Sequence, residues 1–119
     1  MSKIDLVKKA FELVEANNVD DYIKGFTEDA IYKISNLDPV IGPAAIKEFA
    51  APIMDNFTSV THDIKNMWEQ GDIVFAEMIV VYNRKDGKSF DIPALDIIEF
   101  EGDKVKKLQS FIDVSPIFA

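Results

Sequence analysis

One carboxylate stands out in the sequence because it lies among apolar residues. Apolar side chains alternate between residues 89 and 100, where the even positions are Phe90, Ile92, Ala94, Asp96, Ile98 and Phe100. Alternate residues of a strand share one face, so Asp96 is a single acid on an otherwise apolar face. A carboxyl group buried there must be hydrogen-bonded, paired or protonated, and desolvation raises its pKa. Asp96 is therefore a candidate acid in a pocket, unless a bulge turns it toward solvent.

The only histidine, His62, is the second candidate for chemistry. It lies on another predicted strand, on one face with Val60, Ile64 and Trp68. Imidazole titrates near neutral pH and can act as a general acid or base, although a lone histidine is also commonly a hydrogen-bonded core residue. No ligand spacing in the sequence favours a metal, and no serine triad, glycine-rich nucleotide loop or H-E-x-x-H motif is present. We therefore predict no metal and no other cofactor.

Length and charge limit the class of protein. The chain has 119 residues, 48% hydrophobic, which predicts a single domain over residues 1–119. Its net charge of −8 is spread evenly along the chain, so nucleic acid and anionic membrane surfaces are not expected partners. There is no cysteine, and charges interrupt the N-terminal apolar pattern where a signal peptide would need an apolar core. We expect a cytoplasmic protein without a membrane span.

The hydrophobic pattern predicts helices first and a sheet afterwards. A helix is predicted over residues 3–17, a short one from about Asp20, a strand from Ala30, and a third helix from Gly42-Pro43 to Asn56. Four strands follow, separated by short glycine-containing turns, at residues 59–69, 72–83, 89–100 and 104–114. This order predicts an α+β fold with an antiparallel meander.

The order of elements and three stretches of sequence resemble the nuclear transport factor 2-like superfamily. The stretches are NNVDDYIKGFTEDAIY at 17–32, IGPAAIKEF at 41–49 and GDKVKKLQSFIDVSPIF at 102–118. This superfamily includes SnoaL-like polyketide cyclases, ketosteroid isomerases and limonene-epoxide hydrolases. The resemblance implies a SnoaL-like domain, in which a curved antiparallel sheet forms a cystatin-like cone around the N-terminal helices and encloses a pocket. It also implies a homodimer through the outer sheet face, and apolar residues on both faces of the meander favour one.

The resemblance assigns roles to some residues. The stretch IPALDIIEF at 92–100 resembles the ketosteroid isomerase strand with the protonated oxyanion-hole acid, at Asp96. The general base of that enzyme would fall near Ile34, so ketosteroid isomerisation is not expected. Asp113 shares a predicted strand face with Phe111 and matches a catalytic aspartate of the epoxide hydrolases, and Tyr32 matches their water-positioning tyrosine. Their arginine and second aspartate are absent from the middle strand.

These observations lead to a predicted site and two hypotheses of function. The catalytic candidates are Asp96, Asp113, His62 and Tyr32, and the predicted pocket lining is Ile34, Met54, Trp68, Met78, Val80 and Phe111. The only arginine lies in a hairpin turn, so a mostly apolar, neutral small metabolite is the expected ligand. The first hypothesis is acid–base chemistry on that ligand: isomerisation, cyclisation, dehydration or epoxide opening. The alternative is a non-catalytic ligand-binding or dimerisation module.

Overall fold

A computed structural model describes residues 2–118, apart from the side chain of Phe118. The helices are α1 (Lys3–Glu15), α2 (Val19–Ile23), α3 (Pro43–Asp55) and α4 (Ser115–Phe118). A capping box starts α1, because the Ser2 hydroxyl accepts from the Asp5 N–H while the Asp5 carboxylate accepts from the Ser2 N–H. None of the helices in the described part of the chain is long and apolar enough to cross a membrane.

The entry into α3 needs glycine. Gly42 has a φ of 87°, and a Cβ atom at this position would lie 2.8 Å from the carbonyl oxygen of Glu28. Only glycine tolerates both this φ and this close approach, and Pro43 then supplies a preset φ in the first turn of α3. Although Pro52 lies inside α3, the helix continues to Asp55. The predicted Gly-Pro start of the third helix is thus found in the structure.

Six strands form one sheet in the order β2-β1-β6-β5-β4-β3. Their bounds are β1 Phe26–Ile34, β2 Val40–Ile41, β3 Phe57–Gln70, β4 Ile73–Arg84, β5 Ser89–Glu101 and β6 Lys104–Ile112. The last four strands pair antiparallel as predicted, and β1 lies parallel to β6. The predicted α+β cone is confirmed, and the β1–β6 pair makes its curved sheet a mixed one. The first strand begins at Phe26, four residues before the predicted start at Ala30.

Two of the four irregularities in the pairing of the described strands decide which of the predicted site residues face the helices. On β3 the pairing steps from Ile64 and Met78 to Asn66 and Glu77, which leaves Lys65 as an extra residue. On β6 it steps between Lys107 and Val105, which leaves Lys106 as an extra residue. One extra residue moves the following side chains to the opposite face. The strict alternation assumed from the sequence therefore fails beyond these two points.

The core lies between the concave sheet face and the helices. The largest fully buried side chains are Phe100, Ile46, Val7 and Val74, which come from β5, α3, α1 and β4. A smaller apolar cluster of Phe57, Ile92, Val114 and Ile117 lies where β3, β5 and the chain end meet. The helices do not fill the concave face completely, and a cavity remains between them and the sheet.

Candidate functional site

The cavity between the helices and the concave sheet face has a volume of about 120 Å³. Its wall is mostly apolar and includes four of the six predicted lining residues, Ile34, Met54, Met78 and Val80. Six polar or titratable side chains also face it: Tyr22, Tyr32, His62, Tyr82, Asp96 and Ser110. Pockets with this composition, an apolar wall and few polar groups, are typical of small-molecule sites.

Asp96 is buried inside this wall. Its side chain extends from the concave face of β5, between Ala76 on β4 and Ser110 on β6, and only 5% of the residue is exposed. Burial raises the pKa of Asp96 to about 7, and hydrogen bonding from the Ser110 side chain opposes part of that rise. Its Oδ1 atom has no hydrogen-bond partner among the described residues. Near neutral pH the group can therefore donate or accept a proton, and one oxygen is available to a ligand.

Two tyrosines place further hydroxyl groups in the cavity. The hydroxyl oxygens of Tyr22 and Tyr32 lie 3.3 Å apart, within hydrogen-bond distance. Both rings pack edge-on against Phe26, with ring centroids 5.2 Å and 5.8 Å apart, which fixes their orientation. Burial raises the pKa of Tyr32 to about 12, and the hydrogen bond with Tyr22 opposes part of that rise. Burial also raises the pKa of Tyr22 and Tyr82, so all three phenols stay protonated at neutral pH.

His62 lies on the edge strand β3, with its side chain against α1. Its ring stacks on Phe11 with centroids 4.4 Å apart and planes 10° from parallel. Its Nδ1 atom lies 2.9 Å from Oε2 of Glu15, and the same oxygen accepts the His62 backbone N–H at 2.7 Å. Burial lowers the pKa of His62, and the Glu15 carboxylate opposes that effect. The imidazole is therefore neutral at pH 7.

Asp96 and His62 occupy different positions along the cavity. His62 pairs with Val80, which pairs with Ile92, whereas Asp96 is four residues further along β5. At about 3.3 Å per residue this separates the two groups by roughly 13 Å along the strand direction. His62 lies toward the Phe57 cluster, which contains Ile92, and Asp96 lies near the tyrosine pair. A ligand that touched both groups would have to extend along the cavity.

Three predicted site residues lie outside the cavity, which corrects the sequence-based prediction. Asp113 is exposed, and its Oδ1 atom accepts from the Ser115 N–H at 3.1 Å and from the Ser115 hydroxyl at 2.7 Å. These hydrogen bonds lower the pKa of Asp113, so it stabilises the turn into α4. Trp68 and Phe111 lie on the convex sheet face, 51% and 50% exposed. The bulges at Lys65 and Lys106 cause these three errors, because each reverses the parity on which the assignment depended.

Sequence reasoning missed other residues of the site. Nothing in the spacing of the sequence pairs Glu15 with His62. Ser110 could have been found from the strand register, since it lies directly opposite Asp96. Tyr82 carries no signal beyond its place in a predicted strand. Within residues 2–118, no group of three or more His, Asp or Glu side chains is arranged to hold a metal ion.

The fold and the cavity define a class of protein, the cone-shaped α+β proteins that enclose a pocket between helices and a curved sheet. Within it, the chain belongs to the SnoaL-like domain family, whose model matches residues 7–108. The predicted family is thereby confirmed. No curated protein matches the chain in sequence.

Solved structures agree with this fold. A protein proposed to be a SnoaL-like polyketide cyclase, from Jannaschia sp. CCS1, aligns with a TM-score of 0.83 at 15% identity, over 98% of this chain and 88% of that one. An uncharacterised cystatin-fold protein from Novosphingobium aromaticivorans aligns with a TM-score of 0.79 at 24% identity, over 92% and 97%. A hypothetical protein with a ketosteroid isomerase-like fold from Catenulispora acidiphila, in complex with trimethylamine, aligns with a TM-score of 0.84 at 18% identity, over 94% and 88%. At these identities the comparison establishes the fold alone.

Proposed function

We propose that this protein binds a small, mostly apolar molecule that carries one hydrogen-bonding oxygen, and that it performs acid–base chemistry on this molecule. The observation that carries the proposal is the Oδ1 atom of Asp96, which lies in the wall of an apolar cavity and has no hydrogen-bond partner within residues 2–118. A buried polar atom without a partner costs about 1–3 kcal/mol. A ligand carbonyl or hydroxyl group placed against Asp96 would remove that cost, while the apolar wall would bury the rest of the ligand.

The size of the cavity limits the ligand. Its volume of about 120 Å³ is close to that of an engineered cavity of about 150 Å³ that binds benzene. A single-ring ketone such as cyclohexanone is therefore a suitable probe. Its oxygen would accept a hydrogen bond from the protonated Asp96, and the tyrosine hydroxyls would extend the set of donors.

The chemistry that fits these groups is proton transfer next to a carbonyl group. The carboxylate form of Asp96 would take a proton from the carbon next to the carbonyl group, and the electrons of that C–H bond would shift toward the ligand oxygen. Hydrogen bonds from the hydroxyl groups of Tyr22 and Tyr32, which lie near Asp96, would stabilise the negative charge that develops there. Returning the proton to another carbon gives isomerisation, and losing a hydroxyl group as water, with a proton from Asp96, gives dehydration.

Binding and catalysis can be tested separately. Binding of cyclohexanone is followed by NMR, with the carboxyl carbon shift of Asp96 recorded across pH. Catalysis is followed as exchange of the ketone's α protons for deuterium in D₂O. We expect wild type to bind and exchange, Asp96→Leu to do neither, and the exposed Asp113→Asn to match wild type. Binding without exchange would support the alternative, a non-catalytic binding module, and binding that Asp96→Leu leaves unchanged would contradict the proposal.

A second ligand class is favoured by the aromatic wall. Tyr22, Tyr32, Phe49 and Tyr82 surround the cavity together with one carboxyl group, an arrangement that suits a small alkylammonium ion. The Catenulispora structure of this fold contains trimethylamine. A bound trimethylammonium ion would lower the pKa of Asp96 by favouring the carboxylate, whereas a ketone would raise it by favouring the acid. The direction of that change therefore decides between the two classes.

We also propose that the convex sheet face forms a homodimer. Trp68 and Phe111 are half exposed there, next to Ile79, Pro93 and Leu95. Exposed apolar patches of this kind mark interaction surfaces. On each strand the residues of the convex face alternate with those of the buried core. A partner copy bound to the convex face would therefore leave the cavity unchanged.

A further inference from the structure

We infer that Glu15 is a positioning residue that holds His62 as the tautomer with its proton on Nδ1 and so leaves Nε2 as a hydrogen-bond acceptor for a ligand at the His62 end of the cavity. This role rests on the proposed function only for the presence of a ligand in the cavity. The arrangement of the two side chains stands on its own contacts and is tested on its own.

The geometry comes from two elements that are distant in sequence. Glu15 is the last residue of α1, and one of its carboxylate oxygens accepts from both the backbone N–H and Nδ1 of His62, at 2.7 Å and 2.9 Å. A carboxylate accepts hydrogen bonds, so Nδ1 carries the proton and Nε2 keeps its lone pair. The stacked ring of Phe11 fixes the imidazole plane. His62 therefore has one tautomer and one orientation.

The position of Glu15 is unfavourable for the helix itself. A negative charge at a helix C-terminus opposes the helix dipole and destabilises the helix. The last turn of α1 contains no basic residue that would offset this cost. Residues that oppose the local structural preference are expected at functional sites. The contact with His62 accounts for a glutamate at the end of α1.

The charged surroundings of His62 are simple. Glu15 is the titratable group in direct contact with its ring, while Tyr22, Tyr32, Tyr82 and Asp96 line the same cavity. The charged neighbour of His62 on β3, Asp63, lies on the opposite face of the strand and is paired with Lys65 at 2.8 Å. A hydrogen-bond donor on a ligand would meet the Nε2 lone pair, while the hydrogen bond to Glu15 keeps the proton on Nδ1.

The test compares Glu15→Gln with Glu12→Gln, an exposed glutamate on the same helix. Long-range ¹H–¹⁵N NMR spectra across pH report which nitrogen of His62 carries the proton, and its pKa. We expect the Nδ1–H form in wild type and in Glu12→Gln. In Glu15→Gln the amide can still accept the same hydrogen bonds, but the pKa of His62 should fall by about one unit because the negative charge is lost.

Ligand binding then separates positioning from a purely structural role. Cyclohexanol, whose hydroxyl can donate to Nε2, should bind more weakly as His62 becomes protonated, and in Glu15→Gln this loss of binding should shift to lower pH together with the pKa of His62. A wild-type Nε2–H tautomer, or a His62 pKa equal in wild type and Glu15→Gln, would overturn the inference. If cyclohexanone neither binds nor exchanges while the tautomer and the pKa behave as expected, the dyad is supported and the proposed function is wrong.

Discussion

The concave and convex faces of the sheet are built from alternate residues of the same strands, yet their polar groups differ in burial and in hydrogen bonding. On the concave face, Asp96 is buried, its Oδ1 atom has no hydrogen-bond partner in the described part of the chain, and its pKa is raised. On the convex face, Glu77 is exposed and accepts a hydrogen bond from Asn66 at 2.8 Å. Polar groups that solvent can reach cost little, so the convex face carries them freely. The concave face carries few, and each requires a functional or structural reason.

Asp96 and Asp113 make the same contrast with a single residue type. Burial raises the pKa of Asp96, whereas hydrogen bonds from Ser115 lower the pKa of Asp113. The first stabilises the protonated acid and the second the carboxylate. Acidic residues 17 positions apart therefore respond to pH in opposite directions, and that difference can be measured.

The largest expected effect is the dependence of stability on the protonation of Asp96. Its pKa is about 7 in the folded state against 3.8 for the ordinary group. Between these values unfolding releases a proton, so the free energy of unfolding falls as pH rises, by about 1.4 kcal/mol per pH unit and about 4 kcal/mol in all. Asp96→Asn lacks this loss and should be no less stable than wild type near neutral pH.

Urea unfolding midpoints of wild type and Asp96→Asn between pH 4 and pH 8 provide the measurement. The contribution of His62 is common to both proteins and cancels in the difference. Parallel stability curves would show that Asp96 ionises normally in the fold and would place it with the convex-face acids. Asp96→Asn should also lose α-proton exchange of the ketone.

The next effect concerns the convex face. Ile79→Lys places a charge in the proposed dimer interface. In a dimer of the variant, each lysine would be buried against the apolar face of the other copy, which is unfavourable. We expect light scattering at micromolar concentration to give a dimer mass for wild type and a monomer, or an aggregate, for the variant. A wild-type monomer would contradict the homodimer. The concave site should be unaffected, so the soluble variant should still bind the ketone.

A smaller effect is expected from the tyrosine pair. Tyr32→Phe removes one hydroxyl of the 3.3 Å pair and should lower the free energy of unfolding by about 1 kcal/mol. Tyr22→Phe should cost a similar amount, and the double variant should cost less than the two single changes added together, because both remove the same contact. Additive costs in denaturant unfolding would show that the two hydroxyls do not interact.

The smallest effect is expected at Asp113. Asp113→Asn keeps an oxygen that can accept from Ser115, and the site is exposed, so ligand binding and exchange should match wild type. Because its pKa is lowered, the carboxylate stabilises the fold above the ordinary value of 3.8, and this stabilisation is lost as pH falls through the lowered value. Wild type should therefore be slightly more stable than Asp113→Asn in urea unfolding near neutral pH, and this difference should disappear as the pH falls through the lowered pKa. Loss of exchange at neutral pH would return Asp113 to the catalytic site.

Local pattern determined most of the fold. Helical spacing on α1, the Gly-Pro start of α3 and the turns between the last four strands depend on residues close in sequence, and the structure contains all of them. The alternation on β4 and β5 also holds, because those two strands pair without an irregularity. For this reason the sequence alone shows that Asp96 shares a face with apolar residues, and this alternation correctly predicts its burial.

Only the tertiary structure decided the rest of the site. The extra residues Lys65 and Lys106 reverse the parity of β3 and β6, and no property of those lysines marks them as bulges; Trp68, Phe111 and Asp113 were misplaced for this reason. The contact of Glu15 with His62 joins residues 47 positions apart through the packing of α1 on the edge of the sheet. Sequence periodicity fixes which face a side chain takes as long as pairing is regular, whereas long-range register and helix packing depend on the whole core, which no local window contains.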